Sequence, residues 1–155
     1  MTALTSAGLL LHRQAQGGLE VFLGRMGGPF WVRRPRAWSI PKGLHTGEEA
    51  PLDAARREFE EEIGSPPPEV DFTLLGTFRQ SSGKLVTVFA GAGDHRVSFV
   101  ASNTFELEWP RGSGVVQEFP EIESARWIPL AEARTLLVTG QLPALDALES
   151  SLAAE

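Results

Sequence analysis

Glu58, Glu61 and Glu62 stand at i, i+3 and i+4 in the stretch PLDAARREFEEEIG. At about 100° per residue a helix gathers these positions into one arc, where three carboxylates can converge. Like charges at such spacings cost an isolated helix roughly 0.2–0.5 kcal/mol per pair, a cost that divalent cations can reverse. Hard oxygen ligands point to magnesium or manganese. The competing reading is a solvated helix face that carries charge and no function.

Other chemistries are narrowed by composition. Cysteine is absent, which excludes thiolate metal sites, cysteine nucleophiles and disulfides. His12, His45 and His95 are too scattered for a helical two-histidine zinc motif. Between Glu20 and Glu48 there is no acidic residue, yet Arg25, Arg33, Arg34, Arg36 and Lys42 all fall there, five of the fourteen cations. Guanidinium forks and ammonium charges complement phosphate oxygens, so Lys42, then Arg34 and Arg36, are the candidate substrate contacts, with Arg79 and Lys84 behind them. A purine would need a stacking surface. The chain has no tyrosine, which leaves Trp38, Phe30, Trp31 or Phe78 for that role, each of them also a candidate core residue.

These residues need elements to hold them. A chain of 155 residues, 42% hydrophobic, suits one domain with a real core. The net charge of −6 argues against duplex nucleic acid as a partner. No segment approaches the roughly 20 apolar residues that cross a bilayer, and the N-terminus looks like a first strand, so a soluble cytoplasmic protein is expected. GLLLH and LEVFLGR flank a glycine turn and predict a hairpin. GGPFWVRRPRAWSIPKG predicts loop, with a short strand at WSI. Pro51 and Gly64 bound a helix over 51–63 whose buried stripe is Leu52, Ala55, Phe59 and Ile63. FTLLGTFRQ and KLVTVFAGAG predict a second hairpin, and NTFELEW and SARWIPL further strands. Helical spacing returns over 130–138 and 142–152, with Leu142, Leu145, Leu148 and Leu152 on one side. The order suits an α/β fold, a mixed sheet flanked by helices.

The glycine-to-glycine stretch carries a resemblance as well. Gly43, five residues, Glu49, seven residues, Arg57-Glu58-Phe59, one residue, Glu61-Glu62, one residue and Gly64 is similar to the signature of the Nudix hydrolases and fills each of its fixed positions. Ser65 departs from it, standing where an aliphatic residue is usual. WSIPKG before the signature and RWIPL followed by a helix look like that family more loosely. The resemblance implies an α/β/α sandwich and cleavage of a pyrophosphate bond in a nucleoside diphosphate linked to another group. It implies Glu58, Glu61, Glu62 and the Gly43 carbonyl as ligands of Mg2+ or Mn2+, and Glu49 paired with Arg57. For the general base it leaves Glu58 or Glu61 within the signature, or Glu121 or Glu118 in QEFPEIESARW, the region where diadenosine polyphosphate hydrolases of the family carry such a residue.

Diadenosine polyphosphates, nucleoside triphosphates, nucleotide sugars and a 5′-triphosphate RNA end all fit the signature, because its residues meet only metal and phosphate. A nucleotide-binding regulatory module without catalysis is the alternative, and a structural adaptor a third reading. Glu106 and Glu108 read as the wet face of a half-buried strand. A homodimer is left open, although no self-complementary apolar stripe is legible.

Overall fold

The computed structural model describes residues 5–93 and 97–155; the expectation for His95 lies outside the described residues. The first hairpin is β1 (Thr5–Ala15) and β2 (Gly18–Met26), paired from His12↔Val21 to Ala15↔Gly18. Beyond that point the two strands part and take new neighbours. β3 (Trp38–Ser39) joins the end of β2, and β4 (Lys42–Leu44) joins the start of β1, with Ala7 opposite Gly43. The splayed hairpin therefore sets Lys42 and Gly43 directly beside the strand core.

The second hairpin is β5 (Thr73–Arg79) and β6 (Leu85–Ala92), and β6 runs parallel to β1 along its length. β7 (Thr104–Glu108) and β8 (Val116–Pro120) form a separate antiparallel ribbon, and β9 (Ile122–Pro129) pairs with β2. The main mixed sheet runs β3-β2-β1-β6-β5, with β4 and β9 attached to β1 and β2.

Side chains alternate along β1, so each face of the sheet acquires its own core. Ala7, Leu9 and Leu11 meet Ala55, Phe59 and Ile63 of α1 (Pro51–Ile63). Leu10, with Val21, Leu23 and Val88, meets Ala133 of α2 (Leu130–Leu136) and Leu145 and Leu148 of α3 (Leu142–Ala153). The result is an α/β/α sandwich. Phe59 is fully buried, a burial that contributes about 1.5–3 kcal/mol relative to exposure.

Three elements depart from expectation. α2 stops at Leu136 rather than 138, because Leu137 turns extended to bridge Trp38 and the Val138 N–H donates to the Trp38 carbonyl at 2.9 Å. A 3-10 turn at Thr139–Gln141 then leads into α3. Strands β4 and β8 were not expected: KGL and VQEFP are short and lie beside Pro or Gly, and tertiary pairing alone makes them strands. Among the described residues no helix is long and apolar enough to cross a membrane.

Candidate active site

α1 starts with Pro51 in its first turn and no side-chain cap from Ala50, and it ends at Gly64, whose φ of 85° suits glycine. Its last carbonyls are claimed by the segment that leads into β7. Val100 N–H donates to Ile63 O at 2.8 Å and Asn103 N–H to Glu61 O at 3.0 Å. Ser65 joins this seam, its hydroxyl donating to Ser98 O at 3.0 Å. The departure at position 65 thus exchanges an apolar contact for a hydrogen bond.

On the exposed flank of the helix, Arg57 holds Glu49 with two parallel bonds of 2.9 Å, from Nε and Nη2. Its Nη1 donates to Glu58 at 2.8 Å and to Glu61 at 3.2 Å. Glu62 lies deeper, only 8% exposed, and its Oε1 accepts the Lys42 backbone N–H at 2.8 Å. Glu58 presses against β4: a Cβ at position 43 would overlap its carboxylate, so any larger residue there would displace the Glu58 side chain or the strand.

Glu121 arrives from the other end of the chain. Its N–H donates to Asn103 O at 2.9 Å, and its own carbonyl accepts the Gly27 N–H at 2.9 Å. Asn103 therefore links the carbonyl of Glu61 to the backbone of Glu121. A cleft of about 350 Å³ is lined by Glu58, Glu61, Glu62 and Glu121 together with Gly43, Lys42 and Lys84.

The electrostatics follow from this crowding. Burial, only partly offset by the Lys42 N–H, pushes the Glu62 carboxyl up to about 8. Burial also raises Glu58, with the Arg57 hydrogen bond opposing it and Glu61 adding to it, and raises Glu121, with repulsion from Glu61 adding to it. Glu49 moves the other way, held below the usual carboxylate range by its hydrogen bonds to Arg57. Arg57 is raised in turn, chiefly by Glu49. Four acids in one cleft lack enough positive charge to balance them.

Among the described residues no three acidic or histidine side chains form a closed cage for an ion. Glu58 and Glu61 share Nη1 of Arg57 as their counter-charge. The donor set nevertheless fits a hard divalent cation, being all oxygen, crowded, and backed by a carbonyl-bearing strand with no Cβ in the way.

Of the substrate-binding expectations, Lys42 lines the cleft. Arg36 is placed otherwise, its Nη1 donating to Arg134 O and Leu137 O at 2.9 Å, where it satisfies the end of α2. Trp38 is placed otherwise too. It is 9% exposed within the core above α2 and α3, because pairing with β2 turns its ring inward. Arg34 lies outside this cleft, its guanidinium 5.0 Å over the ring of Trp31. Glu118 faces Glu106 across the β7–β8 ribbon, exposed and not lining the cleft. Phe78 packs on the core and Phe30 packs edge-on against Trp109. Asn103 and Ser6 line the cleft without having been singled out; neither belongs to a motif.

The fold and the acid-lined cleft define a class, an α/β/α domain with a helix-borne carboxylate cluster. The model of the NUDIX domain matches residues 4–148. The chain belongs to that family and is a Nudix pyrophosphohydrolase. Among solved structures it is similar to an Ap4A hydrolase of C. elegans in a binary complex, with a TM-score of 0.68 and 21% identity over 99% of this chain and 100% of that one. It is similar to a mutT/nudix family protein from Listeria innocua, with a TM-score of 0.65 and 16% identity over 99% of this chain and 97% of that one. It is also similar to the NUDIX domain of Shewanella oneidensis NrtR complexed with ADP ribose, with a TM-score of 0.63 and 16% identity over 98% of this chain and 90% of that one. At such identities the likeness is one of fold. No curated protein sequence matches the chain.

Proposed function

We propose that this chain, acting as one domain in the cytoplasm, hydrolyses a pyrophosphate bond in a nucleoside diphosphate linked to another moiety, with Mg2+ or Mn2+ as cofactor. Diadenosine polyphosphates and nucleoside triphosphates are the preferred substrate classes. The observation that carries the reading is the meeting of Glu58, Glu61, Glu62 and Glu121 with Lys42 and Lys84 around one cleft.

Glu58, Glu61, Glu62 and the Gly43 carbonyl would hold the ion, which when bound neutralises phosphate oxygens and acidifies the attacking water. Lys42 and Lys84 add positive charge along the phosphate chain and keep it in place. Burial and Glu61 raise Glu121, which makes its carboxylate a stronger proton acceptor and suits it to take the water proton. The water oxygen bonds to phosphorus as the bridging P–O bond breaks, and the leaving phosphate departs with the electron pair. Arg57, clamped by Glu49, keeps Glu58 and Glu61 turned toward the cleft.

The test is a panel of diadenosine tetraphosphate, nucleoside triphosphates, ADP-ribose and nucleotide sugars, with and without magnesium, with identification of products. Magnesium-dependent release of a nucleoside phosphate supports the reading. Binding without turnover of any member would favour the non-catalytic nucleotide-binding module instead.

A further inference from the structure

Beside the acidic cleft lie two more cavities of about 290 Å³ each, and Trp31, Gln80, Ser81 and Val138 border both. One of them is also lined by Lys42 and Lys84, which line the acidic cleft as well. The other extends to Arg34, Pro35, Arg36, Thr139 and Gly140. Shared lining residues thus place the carboxylates, two ammonium groups and an indole side by side.

A buried amide fixes what the indole end offers. Gln141 is fully buried, and its Oε1 accepts the Ile40 N–H at 2.8 Å, which settles which end of its amide is oxygen. Its Nε2 must then donate, and it does so to Ser39 Oγ at 3.0 Å and to Gln80 Oε1 at 3.4 Å. Gln80 accordingly turns its oxygen toward Gln141, and its own N–H pair has no protein partner among the described residues. Gly140 makes the arrangement feasible, since a Cβ there would lie 2.7 Å from Gln80 Cα.

Two guanidinium groups border this wall, and both already have partners within the protein. Arg36 is engaged with the carbonyls of Arg134 and Leu137, and Arg34 is stacked over Trp31, leaving an indole, amide donors and serine hydroxyls between the lysines and the loop. A planar heterocycle with acceptor atoms finds both a surface and a donor there.

We propose that the cavity between Trp31 and Gln80 binds the nucleobase of the substrate, with an acceptor atom of the base on the Gln80 amide and the intervening phosphates on Lys42 and Lys84. The assignment rests on the reading of the chain as a nucleotide pyrophosphohydrolase and adds the specificity residues to it.

Isothermal titration of the magnesium-loaded protein with ATP, GTP, CTP and UTP, and with inorganic tripolyphosphate, separates base from phosphate recognition. At least one nucleotide should bind about tenfold or more tightly than tripolyphosphate. Trp31→Ala and Gln80→Ala should each remove about tenfold of that preference, raising KM with little change in kcat, and leave tripolyphosphate affinity unchanged. Trp31→Phe, which keeps a flat ring, should retain most of it. Equal affinity for all five ligands, or variants that weaken nucleotide and tripolyphosphate alike, would overturn the assignment. Hydrolysis by the parent protein with an unaltered KM in Trp31→Ala refutes the cavity alone; base-dependent binding through Trp31 without hydrolysis supports the cavity and refutes the reaction alone.

Discussion

The Oε1 atom of Glu62 accepts the backbone N–H of Lys42 at 2.8 Å, joining α1 to β4 across 20 residues of chain. That bond holds a carboxyl group in a place where its charge is unwelcome, and burial pushes it up to about 8. The folded chain therefore keeps a proton on Glu62 that the unfolded chain, near the ordinary value of 4.5, has already lost. Stability of the metal-free protein should fall as pH rises from about 4.5 toward 8, with Glu58 and Glu121 contributing in the same direction. Thermal unfolding in chelator from pH 5 to 9 should show this fall, and Glu62→Gln should flatten it and melt above the parent at pH 9. Identical pH profiles for the two proteins would contradict the burial argument.

Arg57 forms ion pairs with three acids on a surface where its own side chain is 40% exposed. Such pairs contribute little to stability, about 0–1 kcal/mol, so their use lies in orientation. Arg57→Lys keeps the charge and loses the fork to Glu49. Turnover should drop about 10- to 100-fold while the melting temperature moves by no more than a few degrees. Steady-state kinetics beside calorimetry check the separation of the two effects.

Glu118 and Glu121 stand three residues apart in a stretch where sequence alone leaves both as candidate bases. Only Glu121 lines the cleft, tied to Asn103 and Gly27 through its backbone. Glu121→Gln should reduce kcat by about 10² or more, and Glu118→Gln should stay within about twofold of the parent. A reversed order would move the base to the β7–β8 ribbon.

Gly43→Ala adds one methyl group at the point where β4 meets the Glu58 carboxylate. Either the strand or the acid must move, so Mn2+ affinity should weaken about tenfold or more even though no side-chain ligand is removed. Unchanged affinity would mean that Glu58 swings aside freely and that the Gly43 carbonyl is not part of the ion site.

Legibility in the sequence followed local signals. Pro51 and Gly64 bracket α1 at the expected residues, and the apolar stripe through Ala55, Phe59 and Ile63 is the face that it buries. Glu62 was grouped with Glu58 and Glu61 by spacing, but its burial depends on the Lys42 N–H, a tertiary contact that periodicity does not encode. Arg36 was expected in a loop as a phosphate contact and Trp38 in a short strand as a stacking surface; β3 pairing and the early end of α2 turn Trp38 into core and Arg36 into a carbonyl clamp. Gln80 and Gln141 carry no motif, and only the fold brings them within reach of each other.

The most direct test is a titration of the purified, chelator-stripped protein with Mn2+, followed by calorimetry or electron paramagnetic resonance. The parent should bind the ion saturably, and Glu61→Gln and Glu62→Gln should each weaken it about tenfold or more with their circular dichroism unchanged. No saturable binding, or the same affinity in parent and both variants, would mean that the carboxylate face of α1 holds no ion.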